Sequence, residues 1–194
     1  MPRTIVITGV TSGFGRATAA VFIKEGWNVA GTGRRKERLD ALKAEWGDAF
    51  LPLELDMRDK SAVFAALERL PAPWSEPDVL VNNAGLALGL APSQEADLDD
   101  WETMIDTNIK GLLYATRALL PGMTARNRGH IVNLGSTAGT YPYKGGNVYG
   151  GTKAFVKQFS LNLRTDLLGT AVRVTNIEPG LCESEFSLVR FKGD

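Results

Sequence analysis

Residues 4–15 read Thr4-Ile5-Val6-Ile7-Thr8-Gly9-Val10-Thr11-Ser12-Gly13-Phe14-Gly15, and three kinds of backbone are written into them. The first five are all β-branched, which predicts a short buried strand. Gly9, Gly13 and Gly15 then free the turn from steric limits, and residues 16–24 follow with the apolar spacing of a helix. A glycine-rich turn set directly between a first strand and a first helix lets backbone amides and a helix N-terminus approach a pyrophosphate. Gly9, Thr11, Ser12, Gly13, Phe14 and Gly15 are therefore candidate nucleotide contacts, although in isolation such glycines also serve ordinary turns.

Outward from this unit the same alternation repeats. Further strands are predicted at residues 28–32, 50–56, 78–82, 129–135 and 171–177, with a helix pattern after each of the first five strands. Lys36–Trp46 carries Leu39 and Leu42 among charged residues, as a surface helix does. Alternation of this kind predicts right-handed crossovers and an α/β, doubly wound parallel sheet of Rossmann type, with residues 1–194 forming a single domain.

The end of the second strand bears on cofactor choice. A fold of this type that selects NAD carries an acidic residue there for the ribose 2′-hydroxyl. Here Gly33 is followed by Arg34 and Arg35, a pair that suits a 2′-phosphate or else forms a solvated basic turn. NADP is expected in preference to NAD. Past the third strand, Asp56 is expected to accept from the adenine amino group with Met57 beside it, while Asp59 reads as a helix N-cap.

Tyr149-Gly150-Gly151-Thr152-Lys153 is the candidate for the chemistry. On a helix, residues four apart share a face, so the ammonium can lie beside the phenol and favour its ionised form. Alone, the same spacing also suits an exposed helix.

Together, Thr8-Gly9-x-x-x-Gly13-x-Gly15, Asn82-Asn83-Ala84-Gly85, Ser136 and Tyr149-x-x-x-Lys153 resemble the short-chain dehydrogenase/reductase superfamily in its usual order. Within it, Thr32-Gly33-Arg34-Arg35, the stretch from Asp100 to Asn108, Gly146-Asn147-Val148-Tyr149 and residues 186–194 are similar to the bacterial NADP-dependent 3-hydroxy acid dehydrogenases, also described as serine dehydrogenases or malonic semialdehyde reductases. The resemblance spans essentially the whole chain. It implies Tyr149 as general acid and base, Lys153 holding the nicotinamide ribose and lowering the tyrosine pKa, and Ser136 holding the substrate oxygen. Asn108 would support a water in a proton relay, or be a polar kink in a long helix. Asn83, Ala84 and Gly85 would line the adenosine ribose, and Pro179, Gly180 and Leu181 the nicotinamide carboxamide, with Ser184 near the phosphates. Cys182 and Glu183 depart from the common pattern in that loop.

The implied reaction is reversible hydride transfer between NADP(H) and the secondary alcohol or carbonyl of a short 3-hydroxy acid such as serine or 3-hydroxypropionate, with no metal. Arg190 and Lys192 are candidate partners for the substrate carboxylate or solvated basic residues, and Tyr141 and Tyr143 shape the pocket or pack their loop. A broader NADP-dependent carbonyl reductase and a non-catalytic NADP-binding regulatory protein are the alternatives. Relatives continue with another helix and a final strand, so the chain is expected to be C-terminally incomplete and to lack that strand. A homotetramer built on the long helices is also expected.

Composition narrows the remaining classes. Lys plus Arg and Asp plus Glu each total 22, so no overall field points to nucleic acid or an anionic membrane. The single cysteine closes no internal disulfide, and the single histidine leaves too few ligands for a zinc site. With no apolar run of the roughly 20 residues that span a bilayer, a cytoplasmic protein is expected.

Overall fold

The computed structural model describes residues 3–182 and 190. Six strands, β1 (Thr4–Ile7), β2 (Asn28–Gly33), β3 (Phe50–Glu54), β4 (Val79–Asn82), β5 (Gly129–Leu134) and β6 (Val172–Ile177), form one parallel sheet in the order β3-β2-β1-β4-β5-β6. The doubly wound α/β expectation is met. Chain direction across the sheet reverses between β1 and β4, which opens a crevice beyond their C-terminal ends. Pro52 is tolerated because β3 lies at the sheet edge, where a missing N–H leaves no inner ladder bond unmade.

Alternation along β1 sorts the core into two layers. Ile5 and Ile7 pack with Ala19 of α1 (Gly13–Lys24) and with Leu39 and Leu42 of α2 (Lys36–Trp46). Val6 faces the other way, toward Val63 and Leu67 of α3 (Lys60–Leu67). After α4 (Leu98–Ile105), the second layer is completed by Leu119 of α5 (Leu112–Ala125) and Leu163 of α6 (Asn147–Asp166). Ile5, Ile7 and Phe50 are fully buried, and each such side chain stabilises the fold by about 1.5–3 kcal/mol.

Between α4 and α5 the helix does not stop. Asp106–Gly111 continues it as a wider π turn, a local irregularity that recurs at functional sites. Asn108 and Gly111 of this turn are buried, and a Cβ at Gly111 would stand 2.9 Å from the Met57 side chain. The polar kink read at Asn108 is thus a change of helix pitch.

Candidate active site

A cleft of about 330 Å³ crosses the C-terminal ends of the strands. Its floor at one end is the glycine turn, where Gly9, Thr11, Ser12, Gly13 and Phe14 line it. Gly9 and Gly13 have φ of 73° and 52°, backbone that glycine adopts without strain. Gly15 does not line the cleft; a Cβ there would collide with the Gly9 carbonyl oxygen and stand 2.5 Å from Asn83 Nδ2. Ser12 is the N-cap of α1 but makes no side-chain cap bond, and the first turn holds no acidic residue. The first amides of a twelve-residue helix are left to face an anion, a donor set that fits a pyrophosphate.

The turn is held from β4 and β2. Asn83 Nδ2 donates to the Thr8 and Gly9 carbonyls at 2.8 and 2.9 Å, and the Asn83 and Ala84 amides donate to Thr8 Oγ1 at 3.0 and 2.9 Å. Asn83, Ala84 and Gly85 all line the cleft, yet the Asn83 side chain is turned toward the loop it braces. From β2, the fully buried Thr32 accepts from the Gly9 amide at 3.2 Å through Oγ1. Neither brace was legible from spacing, since both join residues distant in the chain.

At the far end stand Arg34, Arg35, Asp56 and Met57. Arg35 Nη2 donates to Thr11 Oγ1 at 2.9 Å, and Arg38, not singled out in the sequence, donates to the Thr11 carbonyl at 3.3 Å. The Asp56 carboxylate is gripped by Arg58, with Nη2 to Oδ2 at 2.7 Å and Nε to both oxygens at 3.0 and 3.1 Å. Those Arg58 bonds hold its carboxyl below the usual range against the opposing effect of burial.

Tyr149 and Lys153 reach the other end from one face of α6, and both are buried. A 3-10 turn, Thr137–Gly139, packs so closely on α6 that a Cβ at Gly139 would stand 2.7 Å from the Lys153 backbone, and this brings Ser136 to the tyrosine. Ser136 stands beside the Tyr149 phenol as a hydrogen-bonding neighbour that acts on its proton. Ser136 Oγ also accepts from the Ala138 amide at 3.1 Å. Lys153 Nζ donates to the Leu134 carbonyl at 2.7 Å and lies 5.8 Å from the centre of the Tyr149 ring.

The electrostatics depart from the expectation that Lys153 lowers the tyrosine. Burial raises the Tyr149 phenol, while the Ser136 hydrogen bond and the Arg190 charge pull it down. Lys153, aimed at a backbone carbonyl, is itself lowered to about 8 by burial. Asn108 is likewise committed: Oδ1 accepts from the Leu86 amide, and Nδ2 donates to the Leu86 carbonyl and to Thr152 Oγ1.

Pro179 and Gly180 line the cleft beside Ser136, drawn there by bonds from the Gly135 amide to the Ile177 carbonyl and from the Thr137 amide to the Pro179 carbonyl. Leu181 is exposed and stands off the lining, whereas Cys182 lies on it. Ser184, Glu183, Lys192 and the rest of 186–194 apart from Arg190 lie outside the described residues. Arg190 was named only as a candidate; its Nη2 donates to Tyr143 Oη at 2.9 Å, and its Cζ lies 5.7 Å from the centre of the Tyr149 ring. Among the described residues no group of His, Cys, Asp and Glu is arranged to hold a metal ion, and no helix is long and apolar enough to cross a membrane.

Comparison with known proteins agrees with this geometry. The family model described as short chain dehydrogenase matches residues 3–192. The chain belongs to the short-chain dehydrogenase family. Among its relatives, an NADP-dependent 3-hydroxy acid dehydrogenase, YdfG, of Salmonella typhi is 64% identical over 191 residues, covering 98% of this chain and 77% of that protein. Serine 3-dehydrogenase of Rhizobium radiobacter is 60% identical over 194 residues, covering the whole chain and 78% of the relative. Among solved structures, the closed form of a serine dehydrogenase complexed with NADP+ superimposes with a TM-score of 0.97 at 62% identity, covering 98% of this chain and 77% of that one.

Proposed function

We propose that this short-chain dehydrogenase transfers hydride reversibly between NADP(H) and the C3 alcohol or carbonyl of a short 3-hydroxy acid. One observation carries the reading. A buried tyrosine, with Ser136 beside it and a buried lysine on the same helix face, stands at one end of a cleft whose other end offers a helix N-terminus and two arginines. The relatives named for NADP, 3-hydroxy acids and serine support the cofactor and the substrate class. Serine and 3-hydroxypropionate bear their hydroxyl on a primary carbon, so the secondary-alcohol expectation is too narrow and the C3 alcohol of either kind is meant.

NADP supplies the hydride acceptor and donor chemistry when bound. The glycine turn and the first amides of α1 would hold its pyrophosphate, and Arg34 and Arg35 its 2′-phosphate. In reduction, the Tyr149 phenol gives its proton to the carbonyl oxygen, and the raised pKa keeps that proton in place at neutral pH. In oxidation the phenolate takes the hydroxyl proton. Ser136 holds the same oxygen, and Lys153 brings positive charge to the phenol end of the cleft. Because the Asn108 side chain is spent on Leu86 and Thr152, a relay water would be held by backbone groups of the π turn. A cytoplasmic homotetramer belongs to the same proposal.

The test is nicotinamide absorbance with NADP or NAD against L-serine, 3-hydroxypropionate and a neutral secondary alcohol. NADP-dependent turnover of the hydroxy acids is expected, with kcat falling about 10²–10⁴-fold in Tyr149→Phe while NADP still binds. Unchanged turnover in that variant would remove the assigned acid.

A further inference from the structure

Resting on that assignment of Tyr149, we propose that Arg190 recognises the substrate carboxylate and so sets a preference for 3-hydroxy acids over their uncharged counterparts. The guanidinium stands over two aromatic rings, one of them that of the candidate catalytic tyrosine, with its Cζ 5.3 Å from the Tyr143 ring centre and 5.7 Å from that of Tyr149. It is fixed there on three sides. Nε donates to the Gly89 carbonyl at 3.2 Å, the Gly89 amide donates to the Arg190 carbonyl at 2.9 Å, and Nη2 donates to Tyr143 Oη at 2.9 Å. A planar fork locked by neighbours loses little freedom when it takes a ligand.

Its partners do not satisfy it. Among the described residues Arg190 meets only a carbonyl, a hydroxyl and aromatic faces, and no carboxylate. Of the five N–H donors of an arginine, these bonds use Nε and one hydrogen on Nη2, which leaves Nη1 for a ligand.

Substrate dimensions set how near the cation must stand. In a 3-hydroxy acid two carbon–carbon bonds of about 1.5 Å each separate the reacting carbon from the carboxylate carbon. A carboxylate so near the reacting carbon needs its cation close to the Tyr149 ring, as Arg190 is, and a guanidinium bonds it at about 2.7–2.9 Å. The Arg190 Cζ lies 5.7 Å from the centre of that ring, near enough for its charge to act on the phenol. An uncharged substrate leaves the cation unmatched, and a site built around a polar partner discriminates strongly against ligands that lack it.

The experiment compares kcat/KM for 3-hydroxypropionate with that for its methyl ester, which keeps the alcohol and removes the charge. In Arg190→Met the acid-to-ester ratio is expected to fall about 10²-fold, mostly through KM for the acid, with Arg190→Lys restoring part of it. Tyr143→Phe removes the hydroxyl that holds Nη2 and should lower the ratio by a smaller factor. Equal losses on acid and ester in Arg190→Met would reduce Arg190 to a clamp on the Gly89 loop and overturn the assignment. If Arg190→Met does not fold, Tyr143→Phe decides, and an unchanged ratio overturns it. An unmodified protein that prefers the ester refutes the hydroxy-acid reading itself, whereas an acid preference that survives in Arg190→Met sinks only the arginine.

Discussion

Asn108 and Leu86 exchange hydrogen bonds in both directions: Asn108 Oδ1 accepts from the Leu86 amide at 2.8 Å, and Nδ2 donates to the Leu86 carbonyl at 2.8 Å. A side-chain amide here imitates the edge of a strand. It pins the segment after β4, which carries Asn83, Ala84 and Gly85 into the cleft, to the π turn between α4 and α5. Gly85 is held close to both Asn108 and the lysine, since a Cβ there would stand 3.2 Å from Asn108 Oδ1 and 3.6 Å from Lys153 Nζ.

Asn108→Ala leaves the buried Leu86 amide and carbonyl without partners, at about 1–3 kcal/mol for each unsatisfied group. Urea unfolding should therefore show a loss of about 2–6 kcal/mol. kcat should fall with it, because the segment that carries Gly85 to the cleft loses its anchor beside Lys153. A variant as stable as the parent would mean that water replaces both bonds.

Cofactor choice is assigned to the arginines after β2. Replacing Arg34 and Arg35 together by alanine should raise the NADP dissociation constant by about 10²-fold and move that for NAD far less, given the strength of guanidinium bonds to phosphate. Arg38, which also reaches Thr11, gives a graded control: Arg38→Ala should weaken NADP by a smaller factor. Fluorescence titration of both cofactors checks the order, and equal affinity of the unmodified protein for NAD and NADP would refute the arginine assignment.

Burial sets a pH dependence through Lys153. Its folded pKa, about 8, lies below the ordinary 10.5, so between those values the unfolded chain holds a proton that the folded chain has released. Stability of the cofactor-free protein from this group therefore rises with pH across that window, at up to about 1.4 kcal/mol per pH unit, and is flat below it. Subtracting the unfolding free energy of Lys153→Met at each pH isolates the effect. A difference that stays flat from pH 8 to 10.5 would show that the ammonium keeps its proton when buried.

Much of this was legible because the decisive groups are neighbours in sequence. Each strand falls within two residues of its expected span, since Thr4–Ile7 is wholly β-branched and Val172–Ile177 carries four β-branched residues, Val172, Val174, Thr175 and Ile177. Tyr149 and Lys153 share a helix face, so spacing alone paired them. What spacing could not give are contacts made through space. Arg58 was hidden because its grip on Asp56 depends on how the chain turns after β3, and Gly89 and Arg190 meet across 101 residues. The direction of the Lys153 ammonium was also out of reach: a helical offset fixes which face a side chain leaves from, whereas the Leu134 carbonyl that receives it comes from β5.

Gly15 offers the sharpest test of how tightly the glycine turn is packed. The place a Cβ would take at Gly15 is already filled by the Gly9 carbonyl, which cannot simply retreat because Asn83 Nδ2 holds it at 2.9 Å. Gly15→Ala must therefore push α1 away from β4 or break the Asn83 brace. Overpacking of this kind costs about 1–3 kcal/mol, and the displaced helix N-terminus should bind a pyrophosphate less well. The expected result is a lower melting temperature together with an NADP dissociation constant raised by about tenfold or more, a coupled change worth about 1.4 kcal/mol in binding. Loss of stability with unaltered NADP affinity would mean that the brace yields while the amides of α1 stay in place, and the turn would then be a packing device independent of the cofactor.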